Sequence, residues 1–188
     1  MDLDVSALFP PLILSPYYIL KGIKVYNTYD RNHTQLVHMI IESGIEAMIF
    51  DIQDVGTRFY TYIWTMWDCM LAAAEASVPS FHVLDRPNPL GGEYIDGPLL
   101  RPPFSSFVGR LPIPLVHGLT VGELAKFFYA VYLPPSTMQL NVVEMQGWSR
   151  SMSFPDTGLS WVMPSPNMPT FATALVYPGV LTFIGFCV

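Results

Sequence analysis

The residues best suited to chemistry stand together in Asp51-Ile52-Gln53-Asp54-Val55-Gly56-Thr57-Arg58-Phe59-Tyr60-Thr61-Tyr62. Carboxylates accept hydrogen bonds from hydroxyls and exchange protons with them. A guanidinium fork matches a carboxylate, and tyrosine offers an apolar face with an O–H at its tip. Such a set suits a polar, hydroxyl-rich ligand. The residues just before it, Ala47-Met48-Ile49-Phe50, are too few and too apolar for a surface helix and read as a buried parallel strand. The acids therefore stand where a strand ends, and open α/β sheets bind ligands beyond the carboxyl ends of their strands. The same residues also read as a plain strand-to-helix loop whose acids cap the next helix, and the motif alone does not choose.

The elements that must position this stretch follow from periodicity. Residues 34–43 read as a helix closed by Gly44. Ile63, Met66, Trp67, Met70, Leu71 and Ala74 form one apolar stripe of helical period, which predicts a helix over 60–77 that stops before Pro79. Residues 80–84 are the next strand, and it runs into Asp85-Arg86. A strand, a helix and a strand joined by a parallel crossover bring Asp51, Asp54, Asp85 and Arg86 to one sheet edge. A long Pro- and Gly-rich segment over 87–119 follows, and loops of that length in compact domains tend to be functional. Thr120-Val121-Gly122-Glu123 is a capping box that opens a helix over 121–132. Strands are expected at 23–26 and 140–144. A short helix capped by Thr170 should end before Pro178-Gly179.

Composition narrows the classes. The chain has 188 residues, 51% of them hydrophobic and 13% charged, and a net charge of −6, so it lacks the basic footprint of a nucleic-acid binder. Residues 5–20 carry no charge, but Asp2 and Asp4 precede them and prolines interrupt them, so they read as irregular chain rather than a signal sequence. The compartment stays open. Residues 171–188 are also uncharged, yet Pro178-Gly179 argues against a membrane span. The apolar ending at 183–188 suggests truncation or a divergent end. Cys69 reads as a small core residue, and two cysteines, Cys69 and Cys187, say nothing firm about redox compartment.

Other chemistries find little support. No phosphate-cradling G-x-x-x-x-G-K-[ST], no G-x-G-x-x-G and no G-x-S-x-G occurs. His33, His38, His82 and His117 are scattered without zinc spacing. Asp51 and Asp54 could hold a hard cation, but they stand three apart, whereas the phosphatase pair stands two apart. Neither metal nor cofactor is expected. Asp51, Asp54, Asp85, Glu93 and Asp96 are the candidate acids for glycoside hydrolysis, and spacing singles out no pair.

Several stretches taken together resemble one known family. They are Phe50 to Ile63, Val83-Leu84-Asp85-Arg86-Pro87-Asn88-Pro89, Ser106-Phe107-Val108-Gly109, Pro112 to Ala125, Gly147-Trp148-Ser149-Arg150-Ser151-Met152, and Pro164-Ser165-Pro166-Asn167-Met168-Pro169-Thr170 through Tyr177-Pro178-Gly179. The sequence is similar to the exo-β-N-acetylmuramidases of the NamZ/YbbC type, formerly a domain of unknown function. The resemblance implies a Rossmann-like parallel α/β sheet with flanking helices, followed by a smaller auxiliary domain and a cleft between the two. It implies release of N-acetylmuramic acid from the non-reducing end of peptidoglycan fragments by a mostly exported family. The ligand would be a muropeptide or another saccharide carrying that sugar. The division expected is an irregular segment at 1–22, the α/β domain at 23–145, and a Pro/Gly-rich, incomplete auxiliary region at 146–188.

Carried onto this sequence, the expected catalytic residues are Asp54 and Asp85. The expected substrate-binding residues are Asp51, Arg58, Tyr60, Tyr62, Arg86, Asn88, His117 and Asn167, with the arginines as partners for the lactyl carboxylate of muramic acid. The sequence also departs from the family. Members carry a Gly-Pro-Glu-His-Gly segment upstream, whose glutamate is the leading candidate acid. Here no glutamate occurs before Glu42, and the acid-rich segment expected after Tyr177-Pro178-Gly179 is replaced by residues 180–188. A truncated muramidase-like hydrolase core, active or inactive according to whether the missing glutamate is essential, and a vestigial carbohydrate-binding protein are both consistent with this. A metal-dependent phosphotransferase is the remaining alternative.

Overall fold

The computed structural model describes residues 25–28 and 31–183. The sheet consists of β1 (Ala47–Phe50), β2 (Ser80–Leu84) and β3 (Gln139–Val143), paired in parallel in the order β1-β2-β3. The register sets Phe50 opposite Val83 and Val83 opposite Val142, so all three strands end at one edge. The helices are α1 (His33–Ser43), α2 (Tyr62–Glu75), α3 (Val121–Val131) and α4 (Phe171–Phe183), with single 3-10 turns at Pro102–Phe104 and Phe154–Thr157. This is the parallel α/β arrangement the sequence implies. The irregular segment expected at 1–22 lies outside the described residues.

Side-chain alternation along the strands decides where the core forms. Phe81 and Val83 of β2 are fully buried, and Met48, Leu140 and Val142 pack with them on the same face. The apolar stripe of α2 supplies Ile63, Met66, Trp67 and Met70 to this core. Helix α3 adds Leu124, Ala125 and Phe128, and α1 adds Val37 and Ile40. Phe128 sits at the centre, stacked 5.7 Å from the Trp64 ring and edge-on to Trp67 at 5.8 Å. A second, smaller cluster joins Val55 and Tyr60 to Met168 and Ala174, with Tyr62, Trp161 and Tyr177 around it.

Caps fix the helix starts. Thr120 accepts from the Glu123 N–H while the Glu123 carboxylate accepts from the Thr120 N–H, the reciprocal box read from sequence. Asn32 and Gln35 form an equivalent box at α1, which sequence reading missed, and Gly44 closes that helix in the left-handed region. Thr170 Oγ1 accepts from the Thr173 N–H at the start of α4, as expected.

Three expectations are corrected. Strand β1 is an edge strand among the described residues, and Ile49 is 64% exposed rather than buried, because nothing described packs on that face of the sheet. Val25 and Tyr26 form no strand, and their expected partners Ile23 and Lys24 lie outside the described residues. Helix α4 runs through Pro178. A proline removes one backbone donor and crowds the preceding turn, a local cost that a helix can absorb without ending.

Phe128→Ala removes a ring with no exposed surface, and it should destabilise the fold by about 3–5 kcal/mol. The urea midpoint should fall accordingly, with the slope of the transition unchanged.

Candidate functional site

Because β1 and β2 are parallel neighbours, the loops that follow them meet. Gln53 fastens them together. Its amide donates to the Asp54 carbonyl at 2.7 Å and to the Pro87 carbonyl at 2.9 Å. Arg86 Nε donates to Asp51 Oδ1 at 2.8 Å across the same seam. The long segment after Pro87 then folds back over the first motif. The Arg58 N–H donates to the Leu115 carbonyl at 2.8 Å, and Thr57 and Asp96 both bridge to Val116. The result is that His117 is delivered to Asp54.

Asp54 is 3% exposed. Its Oδ2 accepts from the Gly56 N–H at 2.8 Å and from His117 Nε2 at 3.2 Å. The Leu119 N–H donates to His117 Nδ1 at 3.2 Å, which keeps the lone pair there and the imidazole proton on Nε2, facing Asp54. Asp54 Oδ1 is buried without a hydrogen-bond partner among the described residues, and so is Thr57 Oγ1. Burial is the main cause raising the Tyr60 and Tyr177 hydroxyls above the ordinary phenol range, and the Asp54 charge adds to it. The Tyr60 and Tyr62 rings meet edge-on at 4.9 Å, and the Tyr62 O–H donates to the Pro164 carbonyl at 2.8 Å.

Gly56 has φ +84°, and a Cβ on it would lie 2.4 Å from Asn88 Oδ1, so only glycine fits between the two loops. Asn88 itself is consumed by the fold. Its Oδ1 accepts from the Leu90 N–H and its Nδ2 donates to the Leu119 carbonyl.

Asp85 lies at the end of β2, where it anchors α3. Oδ1 accepts from the Gly122 and Arg86 N–H groups, and Oδ2 accepts from the Thr120 hydroxyl. A Cβ at Gly122 would sit 2.7 Å from the Asp85 carboxyl carbon, so this glycine is what admits the acid to the helix N-terminus. Burial raises the Asp85 pKa, against the lowering effect of those three bonds.

A cleft of about 500 Å³ opens at this edge of the sheet, and its lining includes Asp51, Asp85, Arg86, Met145, Trp148 and Met152. Asp51, Asp85 and Arg86 therefore share one cavity, while Asp54, Tyr60 and His117 form a buried cluster one loop away. Asp51 and Asp54 are turned to different partners. Arg58 is 4% exposed and donates through Nη1 to the Pro98 and Ile113 carbonyls. Asn167 is exposed, beside the buried Met168. Among the described residues no group of three or more His, Cys, Asp or Glu stands close enough to hold a metal, and no helix is long and apolar enough to cross a membrane.

The model of the N-terminal part of the exo-β-N-acetylmuramidase NamZ matches residues 17–172. The chain belongs to the NamZ family. It is 50% identical over 157 residues to the peptidoglycan β-N-acetylmuramidase NamZ of Bacillus subtilis (strain 168), a match covering 84% of this chain and 37% of that relative. A crystal structure of a DUF1343 family protein from Bacteroides fragilis NCTC 9343 superposes with a TM-score of 0.73 at 39% identity, covering 86% of this chain and 41% of that one. A second DUF1343 protein of the same organism gives 0.66 at 40% identity, over 74% of this chain and 38% of that one. The chain thus spans well under half the length of these relatives, and its sheet is the Rossmann-like layer they share.

Within this NamZ-type fold, sequence reasoning overlooked Gln53, Trp148 and Arg150. Arg150 donates to Glu123 and to the Gly92 and Gly118 carbonyls, holding the far loops against α3. The position of Gln53 between two strand-end acids was the available signal for its role as a clasp. Arg150 stands in the 147–152 stretch that carries the family resemblance, but nothing local marked its distant partners.

Two outcomes are expected. Asp54→Ala strands the Gly56 and His117 donors in the interior and should cost about 3 kcal/mol, whereas Asp54→Asn keeps an acceptor in place and should cost about 1 kcal/mol; urea unfolding separates them. For Asp85, the folded state binds the proton more tightly than the unfolded chain does. Its contribution to stability is therefore greatest below the ordinary value of 3.8 and is lost as pH rises through the raised pKa. The stability of wild type relative to Asp85→Asn should fall as pH rises from the ordinary value of 3.8 through the raised pKa, as read by denaturant titration.

Proposed function

We propose that this chain carries the sugar-cleaving core of a β-N-acetylmuramidase acting on a terminal N-acetylmuramic acid of peptidoglycan fragments. The observation that carries the reading is Asp54. A buried carboxylate with one oxygen held by Gly56 and His117, and the other without a partner among the described residues, is a proton-transfer group fixed in one orientation. Buried polar atoms are almost always paired, and an exception calls for an explanation such as a catalytic role or a bound water or ion. The printed activity of the Bacillus subtilis relative supports the choice of sugar.

In this reading Asp54 works through Oδ1 on a sugar oxygen, and His117 positions it without touching the substrate. Tyr60 and Tyr62 face the sugar ring. Asp85, Arg58 and Asn88 hold the loops and the start of α3 in place, and Asn167 stands at the rim. The ends of β1 and β2 supply Asp51, Asp85 and Arg86 to the cleft, and the segment after β3 supplies Met145, Trp148 and Met152.

A second reading, a muropeptide-binding protein without turnover, is favoured by one observation. Asp54 is 3% exposed and does not line the cleft at the sheet edge. Release of a chromophore from a β-N-acetylmuraminide decides between the two. Wild type should turn over, and Asp54→Asn should lower kcat by about 10²–10⁴-fold with its fold intact. Absence of turnover with muropeptide binding retained would establish the binding protein instead.

A further inference from the structure

We propose that α4 is a self-association helix, pairing through its outer face with the same face of a second copy of this chain about a twofold axis. The helix runs from Phe171 to Phe183 and is about 20 Å long. It is apolar on two sides. Its inner side seats Ala174 and Tyr177 in the smaller cluster with Val55, Tyr60 and Met168. Its outer side carries Ala172, Leu175, Val176, Gly179 and Val180, spaced i, i+3, i+4, i+7 and i+8, and all five are exposed. Leu175 and Val176 are 57% and 56% exposed, in a row that contains no polar side chain. A helix that is hydrophobic all round belongs between two layers of protein, and among the described residues only the inner layer is present.

Charge identifies the missing layer. No Asp, Glu, Lys, Arg or His occurs from Thr157 to Val188, the longest such run in the sequence. An interface with twofold symmetry sets a patch against itself, so any charge near the axis meets its own sign. The chain carries a net charge of −6, and two copies repel wherever acids face each other. The outer stripe of α4 is a face on which that penalty is absent. A lipid surface suits it less, because interfacial helices carry Lys or Arg on a polar side and α4 has neither. Small residues at 172 and 179 allow two helix axes to approach closely. The segment before the helix extends the apolar character. The Trp161 ring lies 6.3 Å from Phe171, and the residues around it expose Leu159, Val162 and Met163. Pairing also bears on the acid cluster. The same helix holds Tyr177 edge-on to Tyr60 at 6.1 Å, so a second copy would clamp from outside the helix that packs on this layer.

Sedimentation velocity of the full chain tests this, independently of any turnover. One helix face falls short of a standard interface of roughly 1,600 Å², so a dissociation constant on the order of 100 μM is expected. Wild type should be monomeric at about 1 μM and more than half dimeric at about 200 μM. Because the contact carries no charge, the dimer should persist in high salt. Val176 stands at the centre of the stripe, where a twofold helix pair brings it against its own copy. Val176→Glu and Val176→Lys should each stay monomeric at the upper concentration. Their equimolar mixture should dimerise at low salt and dissociate at high salt. Both substitutions fall on an exposed helix surface, so the urea midpoints at about 1 μM should match wild type. Wild type that stays monomeric throughout overturns the proposal. So does a dimer that survives either charged variant, or a mixture that does not dimerise. Flotation of wild type with phosphatidylcholine vesicles, lost in Val176→Glu, would assign the face to lipid and overturn it as well.

Discussion

Two adjacent strands that run the same way send their following loops to the same edge, and almost everything at this site depends on that constraint. The parallel pairing of β1 with β2 brings Gln53 within reach of Pro87 and Asp51 within reach of Arg86. An antiparallel pair would have sent the two loops to opposite ends of the sheet. The same edge receives the N-terminus of α3, where Asp85 accepts from the Gly122 amide. Negative charge is favoured at that end of a helix, so one acid both terminates a strand and starts a helix.

The polar residues around this edge divide by what burial has done to them. Arg58, Asn88 and Asp85 spend their hydrogen-bonding capacity on backbone groups and one hydroxyl, and in doing so they give a proline-rich loop a single shape. Loops cannot be buried without such partners, because every enclosed carbonyl and amide must be met. Asp54 and Arg86 are each held on one side only, which fixes their direction and leaves capacity for something else. Partial commitment of this kind separates groups that can act on a ligand from groups that only hold the scaffold.

Much of this architecture was legible in the chain. The stripe from Ile63 to Ala74, the box at Thr120 and Glu123, and the apolar runs ending at Phe50 and Leu84 are local signals, and each produced its element. The convergence of Asp51 and Arg86 followed from topology alone. What escaped was long-range or context-bound. Arg58 looked like a ligand-facing cation, but its fate is set by carbonyls at Pro98 and Ile113, far away in sequence. Pro178 looked like a helix stop because a proline's effect was judged without the apolar residues on both sides of it. Ile49 looked buried because hydropathy reports a preference for cover, not whether cover is present. Gly122 carried no signal until the close approach of Asp85 gave it one.

Trp148 lines the cleft, whereas Trp64 and Trp67 are packed in the core against Phe128 and Trp161 is bound through its indole nitrogen to the Met168 carbonyl. Indole emission responds to the polarity within a few ångströms of the ring. Filling the cleft therefore replaces water beside one tryptophan and leaves the environment of the others as it was. The protein carries a built-in optical reporter of occupancy, so the titration of this cavity can be followed by its own light without attaching a dye.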